Sequence, residues 1–240
     1  MPMTIPDVAE RDSTPLSPTD FDAILFDLDG TLIDTAPDLL FALNRVMAEE
    51  NKPPLSLAEL LPFVSGGSPA MLQRGFRIAP DEPGFAALQE RFLALYRANV
   101  ARSSRLFPGM ETVLGHIEAG PLRWGIVTNK SAWLTEPLTA ALGLDRRAAC
   151  IVSGDTTEHL KPHPASLLLA CQRIGVEPAR CLYVGDAAKD VEAGQRAGMK
   201  TAAALFGYLT PEDKPEEWGA DWLLSSPGAL ADWLATKTPR

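Results

Sequence analysis

The sequence predicts an α/β fold in which a doubly wound parallel sheet carries a helical insertion near its start. Over residues 107–240, short apolar runs alternate with segments of helical periodicity, the pattern of parallel strands joined by crossover helices. Between residues 37 and 105 only helical patterns occur, so this stretch interrupts the alternation. The chain has 240 residues, of which 46% are hydrophobic, and this is enough apolar mass for a sizeable core.

The N-terminal segment differs in composition from the rest of the chain. Residues 1–20 are rich in Pro, Ser, Thr and Asp and have no apolar signal core, so we expect a disordered tail there. Ordered structure should begin near Phe21, and the apolar run from Ala23 to Phe26 ends in Asp27. A short, continuous apolar run predicts a strand buried on both faces of a parallel sheet.

The helical stretch contains four segments with apolar residues at helical spacing, and Pro or Ser marks their starts. The segments are PDLLFALNRVMAEEN, SLAELLPF, SPAMLQRGF and PGFAALQERFLALYRANVARS. We therefore predict a helical unit at residues 35–106, inserted into a core domain formed by residues 21–34 and 107–240.

The remaining elements follow in alternation. We predict helices at about residues 110–118, 164–174 and 189–197. A further helix follows the strand LRWGIVTN and ends at Leu142, because Gly143 is a typical helix C-cap residue. The predicted strands between and after them are LRWGIVTN, ACIVSG, RCLYVGD, MKTAAAL and DWLLSS, the last followed by a short helix.

Charge and cysteine usage exclude some classes of function. The formal net charge of -9 argues against a nucleic-acid or anionic-membrane partner, because such partners need a basic face. No apolar stretch approaches membrane-spanning length. Cys150, Cys171 and Cys181 form no CxxC pair, and we expect reduced, buried thiols in the cytoplasm. A monomer or a homodimer is expected.

Polar residues follow several predicted strands at their carboxyl ends. In an open parallel sheet, ligands bind beyond these ends, so residues far apart in sequence are expected to meet there. The residues are Asp27 and Asp29, Thr128 and Asn129, Asp155, and Gly185 with Asp186.

The segment Asp27-Leu28-Asp29-Gly30-Thr31 suits phosphoryl chemistry. Residues two apart in extended backbone project to the same side, so Asp27 and Asp29 can share a pocket, and Gly30 permits the turn that follows. One carboxylate can attack phosphorus while the other transfers protons. The alternative interpretation is an ordinary Asp- and Gly-containing turn after a strand.

The other strand ends offer metal ligands and phosphate donors, each with a simpler alternative. Asp186, with Asp190 beyond it, supplies hard oxygen ligands for octahedral Mg²⁺, or Asp186 only caps the next helix. Lys161 would neutralise the nucleophile and the phosphoryl group, or it is a solvated loop lysine. Thr128 and Asn129 would donate to phosphate oxygens, or they are ordinary loop residues.

In the order DxDGT, TN, KP and GDxxxD, the motifs resemble those of the haloacid dehalogenase superfamily of phosphotransferases over nearly the whole chain after the tail. The resemblance implies a Rossmann-like core with an α-helical cap inserted after the first strand. It implies an aspartyl-phosphate mechanism with Mg²⁺ as cofactor, Asp27 as nucleophile, and Asp29 as general acid and base.

The same resemblance assigns the remaining site residues. It implies that Thr128 and Lys161 bind the phosphoryl group. It also implies that Asp27, Asp186 and the Asp29 carbonyl hold the metal, with Asp190 supporting these ligands.

Within the superfamily two groups are close. The stretch ILFDLDGTLIDTAPDLL resembles phosphoglycolate phosphatases, whereas VSGGSPAML, WGIVTNK and SGDTTEHLKPHP resemble the bacterial N-acetylmuramate 6-phosphate phosphatases of cell-wall recycling. Either substrate, a small phosphorylated metabolite of carbohydrate metabolism, carries a carboxylate. Arg74 or Arg77 would contact it, unless both are exposed helical arginines, and Gly66 and Gly67 would allow close backbone approach. A phosphomutase and a non-enzymatic binding protein remain as alternatives.

Overall fold

The computed structural model describes residues 16–236, so the predicted tail over residues 1–15 lies outside the described residues. Residues 16–20 depart from the predicted disorder. Pro18–Asp20 forms a 3-10 helix that Ser17 caps, and the Leu16 carbonyl accepts a hydrogen bond of 2.8 Å from Trp233 Nε1. The ordered chain therefore begins before Phe21.

The centre of the fold is a six-stranded parallel sheet of order β5-β4-β1-β6-β7-β8, which confirms the predicted fold class. From β1 the chain adds strands on one side and then returns to add β6, β7 and β8 on the other. The end of β1 is therefore at the point where the strand order reverses, the usual place for a ligand. The sheet strands are β1 (Ala23–Phe26), β4 (Arg123–Val127), β5 (Cys150–Val152), β6 (Cys181–Gly185), β7 (Lys200–Ala204) and β8 (Trp222–Leu224).

Helices cover both faces of the sheet, because alternate residues of a buried strand point to opposite sides. In β1, Ile24 and Phe26 belong to the apolar cluster that includes side chains of the fifth and ninth helices. Ala23 and Leu25 belong to the cluster on the other face, with the seventh and eighth helices. The core helices are α5 (Met110–Glu118), α6 (Ala132–Ala141), α7 (Ala165–Ile174), α8 (Ala188–Arg196) and α9 (Pro227–Ala235).

Four further helices form the predicted helical unit, and its apolar cluster also includes Leu134 and Tyr208 from the part of the chain that contains the sheet. The sequence predicted these helices. It did not predict the short antiparallel ribbon of β2 (Ile33–Asp34) and β3 (Arg105–Leu106), which pairs the segment that enters the helical unit with the segment that leaves it. None of the helices in residues 16–236 is long and apolar enough to cross a bilayer. The unit consists of α1 (Ala36–Glu49), α2 (Leu57–Val64), α3 (Gly67–Phe76) and α4 (Phe85–Ala98).

The domain boundaries at residues 35 and 107 stay a prediction. Hydrogen bonds of one side chain, however, join the segment that enters the helical unit to the segment that leaves it. The buried carboxylate of Asp38, in the first turn of α1, accepts hydrogen bonds from Ser103 N at 2.9 Å and from the Ser104 hydroxyl at 2.7 Å. Because these residues immediately precede β3, the start of the helical unit is tied to its end.

Candidate active site

Two carboxylates project from adjacent strand ends, as the sequence predicted. The backbone N–H of Asp27 donates to Val184 O at 2.9 Å, so the β1–β6 ladder continues through Asp27, while Asp186 follows the end of β6 directly. One carboxylate oxygen each of Asp27, Asp186 and Asp190 lies within 4.8 Å of the others, and all three residues are buried.

Burial and mutual repulsion raise the pKa values of Asp27 and Asp186. Burial, with the nearby charges of Asp27 and Asp190, raises the pKa of Asp186 to about 8. Burial also raises the pKa of Asp27, although Lys161 opposes that shift. Grouped, buried carboxylates with raised pKa values carry uncompensated negative charge when ionised, and hard oxygen ligands of this kind suit Mg²⁺. The donor set therefore fits a divalent cation.

Lys161 is buried among these acids, with a side chain only 1% exposed. Its Nζ lies 2.8 Å from Asp27 Oδ1 and 2.7 Å from Asp190 Oδ1, and it donates to the Tyr183 hydroxyl at 2.7 Å. Burial by itself would lower the pKa of Lys161, but the charges of Asp190 and Asp27 outweigh burial and raise it. The ammonium is therefore charged at neutral pH, and the interpretation as a solvated loop lysine is wrong.

Asp190, which the resemblance implies supports the metal ligands, also contacts Lys161, whose Nζ lies 2.7 Å from Asp190 Oδ1. Its Oδ2 accepts from the N–H of Ala187 at 3.1 Å, so Asp190 rather than Asp186 caps the start of α8. Gly185 leaves the space for it, because a Cβ on Gly185 would lie 2.3 Å from Asp190 Cβ. Asp190 therefore positions the ammonium that contacts Asp27.

Asp186 is held by groups from elsewhere in the fold. It accepts hydrogen bonds from Tyr208 N at 2.8 Å and from the Thr31 hydroxyl at 3.2 Å. Gly30 has a φ of +83°, and a Cβ there would lie 2.1 Å from Asp186 Oδ2. Glycine is thus required both for the backbone turn and for the close approach of Asp186.

Asp29 lines the same cavity as Asp27 but has different partners. Its two carboxylate oxygens lie 2.8 and 2.9 Å from Lys130 Nζ, and the Thr35 hydroxyl donates to Oδ1. The side chain of Asp29 is 22% exposed, in contrast to the buried acids around Lys161. The two carboxylates of the DxDGT motif are therefore each paired with a separate lysine.

Lys130 is a site residue that the sequence reasoning missed. Its side chain is 8% exposed, and its Nζ lies 4.7 Å from the ring centroid of Tyr96 in α4. Burial would lower the pKa of Lys130, but Asp29 outweighs burial and raises it. The only signal in the sequence was its position directly after Thr128 and Asn129 at a strand end.

Thr128 and Asn129 are both at the cavity wall, and the side chain of Asn129 also contacts the loop of Lys161. Thr128 Oγ1 accepts from Lys130 N at 3.1 Å, which leaves its hydroxyl hydrogen to donate. The side-chain amide of Asn129 exchanges hydrogen bonds of 3.1 and 2.9 Å with the backbone of Lys161. Asn129 therefore orients the loop of Lys161. Asp155 is apart from the site, where it accepts from Ala132 N at the start of α6.

A cavity of about 440 Å³ lies between the carboxyl edge of the sheet and the helical unit. Gly66 and Gly67 line it, and Lys189 Nζ donates to the adjacent Ser65 carbonyl at 2.6 Å. Arg74 and Arg77 are not among its lining residues. The guanidinium of Arg74 instead pairs with Glu59 at 2.8 Å on the surface of the helical unit, so the structure gives no support for the predicted substrate contact of Arg74.

Comparisons with known proteins show the family to which the chain is similar. The family model of haloacid dehalogenase-like hydrolases matches residues 24–204 of this chain. The chain is similar to an N-acetylmuramic acid 6-phosphate phosphatase of Pseudomonas putida, with 42% identity over 85% of this chain and 92% of the relative. It is also similar to a phosphoglycolate phosphatase of Xanthomonas campestris pv. campestris, with 43% identity over 90% of this chain and 98% of the relative.

Solved structures show the same fold. The crystal structure of a predicted phosphoglycolate phosphatase from Haemophilus somnus matches with a TM-score of 0.79 and 27% identity, over 91% of this chain and 99% of that chain. A haloacid dehalogenase-like hydrolase from Bacteroides fragilis matches with a TM-score of 0.76 at 21% identity, over 88% of this chain and 99% of that chain.

Proposed function

The chain belongs to the haloacid dehalogenase-like hydrolase family and is a phosphatase, and from this premise we propose that it hydrolyses a small, carboxylate-bearing phosphomonoester with Mg²⁺ through an aspartyl phosphate on Asp27. One observation carries the proposal. Asp27, Asp186 and Lys161, which lie far apart in sequence, meet in the wall of a single cavity.

Asp27, Asp186 and the backbone carbonyl of Asp29 would hold Mg²⁺, with Asp190 supporting them through Lys161. The buried oxygens of Asp27, Asp186 and Asp190 within 4.8 Å of one another support this assignment. The chemistry that the ion supplies when bound is neutralisation of charge on the phosphoryl oxygens.

Asp27 is the nucleophile of the proposed reaction. Lys161 holds one of its oxygens at 2.8 Å, which fixes the orientation of the carboxylate and leaves the other oxygen to attack phosphorus. A bond forms between this oxygen and phosphorus while the bond from phosphorus to the ester oxygen breaks. Lys161 and the Thr128 hydroxyl, both in the cavity wall, would donate to the transferring group.

Asp29 is the general acid and base. It donates a proton to the departing ester oxygen and later accepts one from the water that attacks the aspartyl phosphate. Its carboxylate is more exposed than that of Asp27, which suits a group that must exchange protons. The Thr35 hydroxyl, which donates to Oδ1, keeps the carboxylate oriented.

The size of the cavity favours the larger of the two candidate substrates. Identities of 42% and 43% to the two kinds of relative do not separate them. The cavity of about 440 Å³ lies within the range of roughly 300–1,000 Å³ that suits a drug-sized ligand, far more than phosphoglycolate occupies. We therefore place N-acetylmuramate 6-phosphate first and phosphoglycolate second, with a role in cell-wall recycling in the cytoplasm, where the three free cysteines would stay reduced.

Steady-state kinetics test this proposal. We would measure kcat/KM for N-acetylmuramate 6-phosphate, phosphoglycolate and N-acetylglucosamine 6-phosphate, with Mg²⁺ and with EDTA. The expected order has N-acetylmuramate 6-phosphate first, and EDTA removes turnover of all three. A higher kcat/KM for phosphoglycolate would reassign the substrate, and phosphate release that is unaffected by EDTA would reject the metal.

A further inference from the structure

Lys130 occupies a position between the general acid and base and the helical unit. Its ammonium contacts both oxygens of Asp29, at 2.8 and 2.9 Å, and lies 4.7 Å from the centre of the Tyr96 ring. Asp29 is proposed to protonate the ester oxygen, so a cation in contact with Asp29 is close to the first atoms of the leaving group. Lys130 thus faces the part of the substrate that differs from one phosphomonoester to another.

The other cations of the cavity wall are already engaged. Among the described residues, the cavity is lined by three cationic side chains, those of Lys130, Lys161 and Lys189. Lys161 is held between Asp27 and Asp190, and Lys189 donates to the Ser65 carbonyl. Lys130 instead pairs with the partly exposed Asp29 on the leaving-group side of the cavity, so it can turn toward a substrate without leaving a fully buried acid unpaired.

Tyr96 adds a second, independent sign of a missing ligand. Its hydroxyl lines the cavity beside Lys130 and is close enough to accept a hydrogen bond from that ammonium, but it is buried and has no acceptor for its own hydrogen among the described residues. A buried hydroxyl without a partner costs free energy, and a ligand that accepts its hydrogen bond removes that cost. An anionic acceptor beside Lys130 would satisfy the ammonium and the hydroxyl together.

We propose that Lys130 determines specificity by binding the carboxylate of the substrate, with the Tyr96 hydroxyl as a second donor. The inference rests on the proposed function, since it concerns the leaving-group side of the same site. Lys130 keeps its proton and turns its hydrogen bonds from Asp29 to the substrate carboxylate. A neutral substrate has no such acceptor, so Lys130 stays on Asp29 and the substrate loses this contact.

Two pairs of substrates, in each of which one member lacks the carboxylate-bearing group or the carboxylate itself, test the proposal. N-acetylmuramate 6-phosphate is compared with N-acetylglucosamine 6-phosphate, and phosphoglycolate with 2-hydroxyethyl phosphate, in the wild type and in Lys130→Met. For the pair with the better acidic substrate, the ratio of kcat/KM between acidic and neutral members should fall by about 10- to 100-fold in the variant, as expected for a lost charge-assisted hydrogen bond. Tyr96→Phe should lower the same ratio by a smaller factor.

Lys214→Met is the matched control, because Lys214 forms an exposed pair with Glu217 and is not among the residues that line the cavity; it should keep the wild-type ratio. An equal loss on acidic and neutral substrates in Lys130→Met would overturn the inference and assign Lys130 to the phosphoryl group or to Asp29 alone. A wild type without preference for either acidic substrate would instead reject the proposed substrate class. The two failures are therefore distinguishable.

Discussion

The ammonium nitrogen of Lys161 lies 2.8 Å from Oδ1 of Asp27, and the lysine side chain is 1% exposed. This contact joins catalysis to stability, because the cation that orients the proposed nucleophile also compensates the buried charge of the acids around it. Lys161 pairs with two members of a cluster of three carboxylates, Asp27, Asp186 and Asp190, and its single charge is too small to neutralise all of them. Substitutions of Asp27 and of Lys161 should therefore have opposite effects on stability.

Asp27→Asn should remove turnover and leave the fold intact. The amide cannot form the covalent bond to phosphorus, and loss of a catalytic nucleophile lowers kcat by a factor on the order of 10⁴ to 10⁶. Because one buried negative charge is removed while Asp190 still pairs with Lys161, the metal-free variant should unfold at a urea concentration no lower than that of the wild type. The measurements are phosphate release and urea titration. Substantial steady-state turnover would contradict the covalent route.

Lys161→Met should destabilise the protein as well as inactivate it. The substitution leaves Asp27 and Asp190 without their shared cation, and breaking a buried ion pair on one side costs about 3–5 kcal/mol. Urea titration in EDTA measures this loss.

The double variant Lys161→Met/Asp190→Asn is the control for Lys161→Met, since it removes one of the stranded charges and should recover part of the free energy of unfolding. A single variant as stable as the wild type would mean that the ammonium makes no net contribution to the fold.

The part of the site that follows strand ends could be predicted from the sequence. Asp27 and Asp186 follow apolar runs that form β1 and β6, and adjacent parallel strands bring their carboxyl ends together whatever the remaining chain does. The helices at residues 110–118 and 165–174 likewise follow from local periodicity and their flanking residues. These inferences need only local pattern and the general geometry of a parallel sheet.

Contacts between the helical unit and the sheet could not be predicted in this way. Tyr96 reaches Lys130 only because α4 packs over the carboxyl edge of the sheet. Helical periodicity predicts which face of α4 is buried, but it does not predict the element against which that face packs. Arg74 is the converse case, since it is near a Gly-Gly pair in sequence but pairs with Glu59 and does not line the cavity. The ribbon of β2 and β3 has two residues in each strand, too few to give a pattern.

Tyr208→Phe should weaken the junction between sheet and helical unit. The Tyr208 hydroxyl accepts hydrogen bonds from Thr35 N at 2.7 Å and Ala36 N at 2.9 Å and donates to Asp34 at 2.8 Å. It thus satisfies amides at the start of α1 that would otherwise lack partners. We expect a loss of about 1–3 kcal/mol in the free energy of unfolding.

The phenylalanine variant keeps the ring contact of Tyr208 with Phe107 and the backbone donation to Asp186, so KM for Mg²⁺ should stay close to the wild-type value. Urea titration and metal-dependent kinetics check the two effects separately. An unchanged free energy of unfolding would show that the hydroxyl is dispensable as a cap.

Asp186 should make both stability and metal affinity depend on pH, with opposite signs. Its pKa is raised from the ordinary 3.8 to about 8 by burial and by Asp27 and Asp190, so between these values the folded metal-free protein binds a proton that the unfolded chain has lost. The free energy of unfolding in EDTA should therefore fall as pH rises from about 4 to about 8, by up to about 1.4 kcal/mol per pH unit for one proton, and then level off. Mg²⁺ must displace this proton below pH 8, so its affinity should rise with pH over the same window.

Urea titrations in EDTA and calorimetric Mg²⁺ titrations in two buffers of different ionisation enthalpy measure the two trends. Asp186→Asn is the control for stability and should flatten the slope in EDTA, whereas an equally steep slope in that variant would assign the titration to Asp27, whose pKa burial also raises.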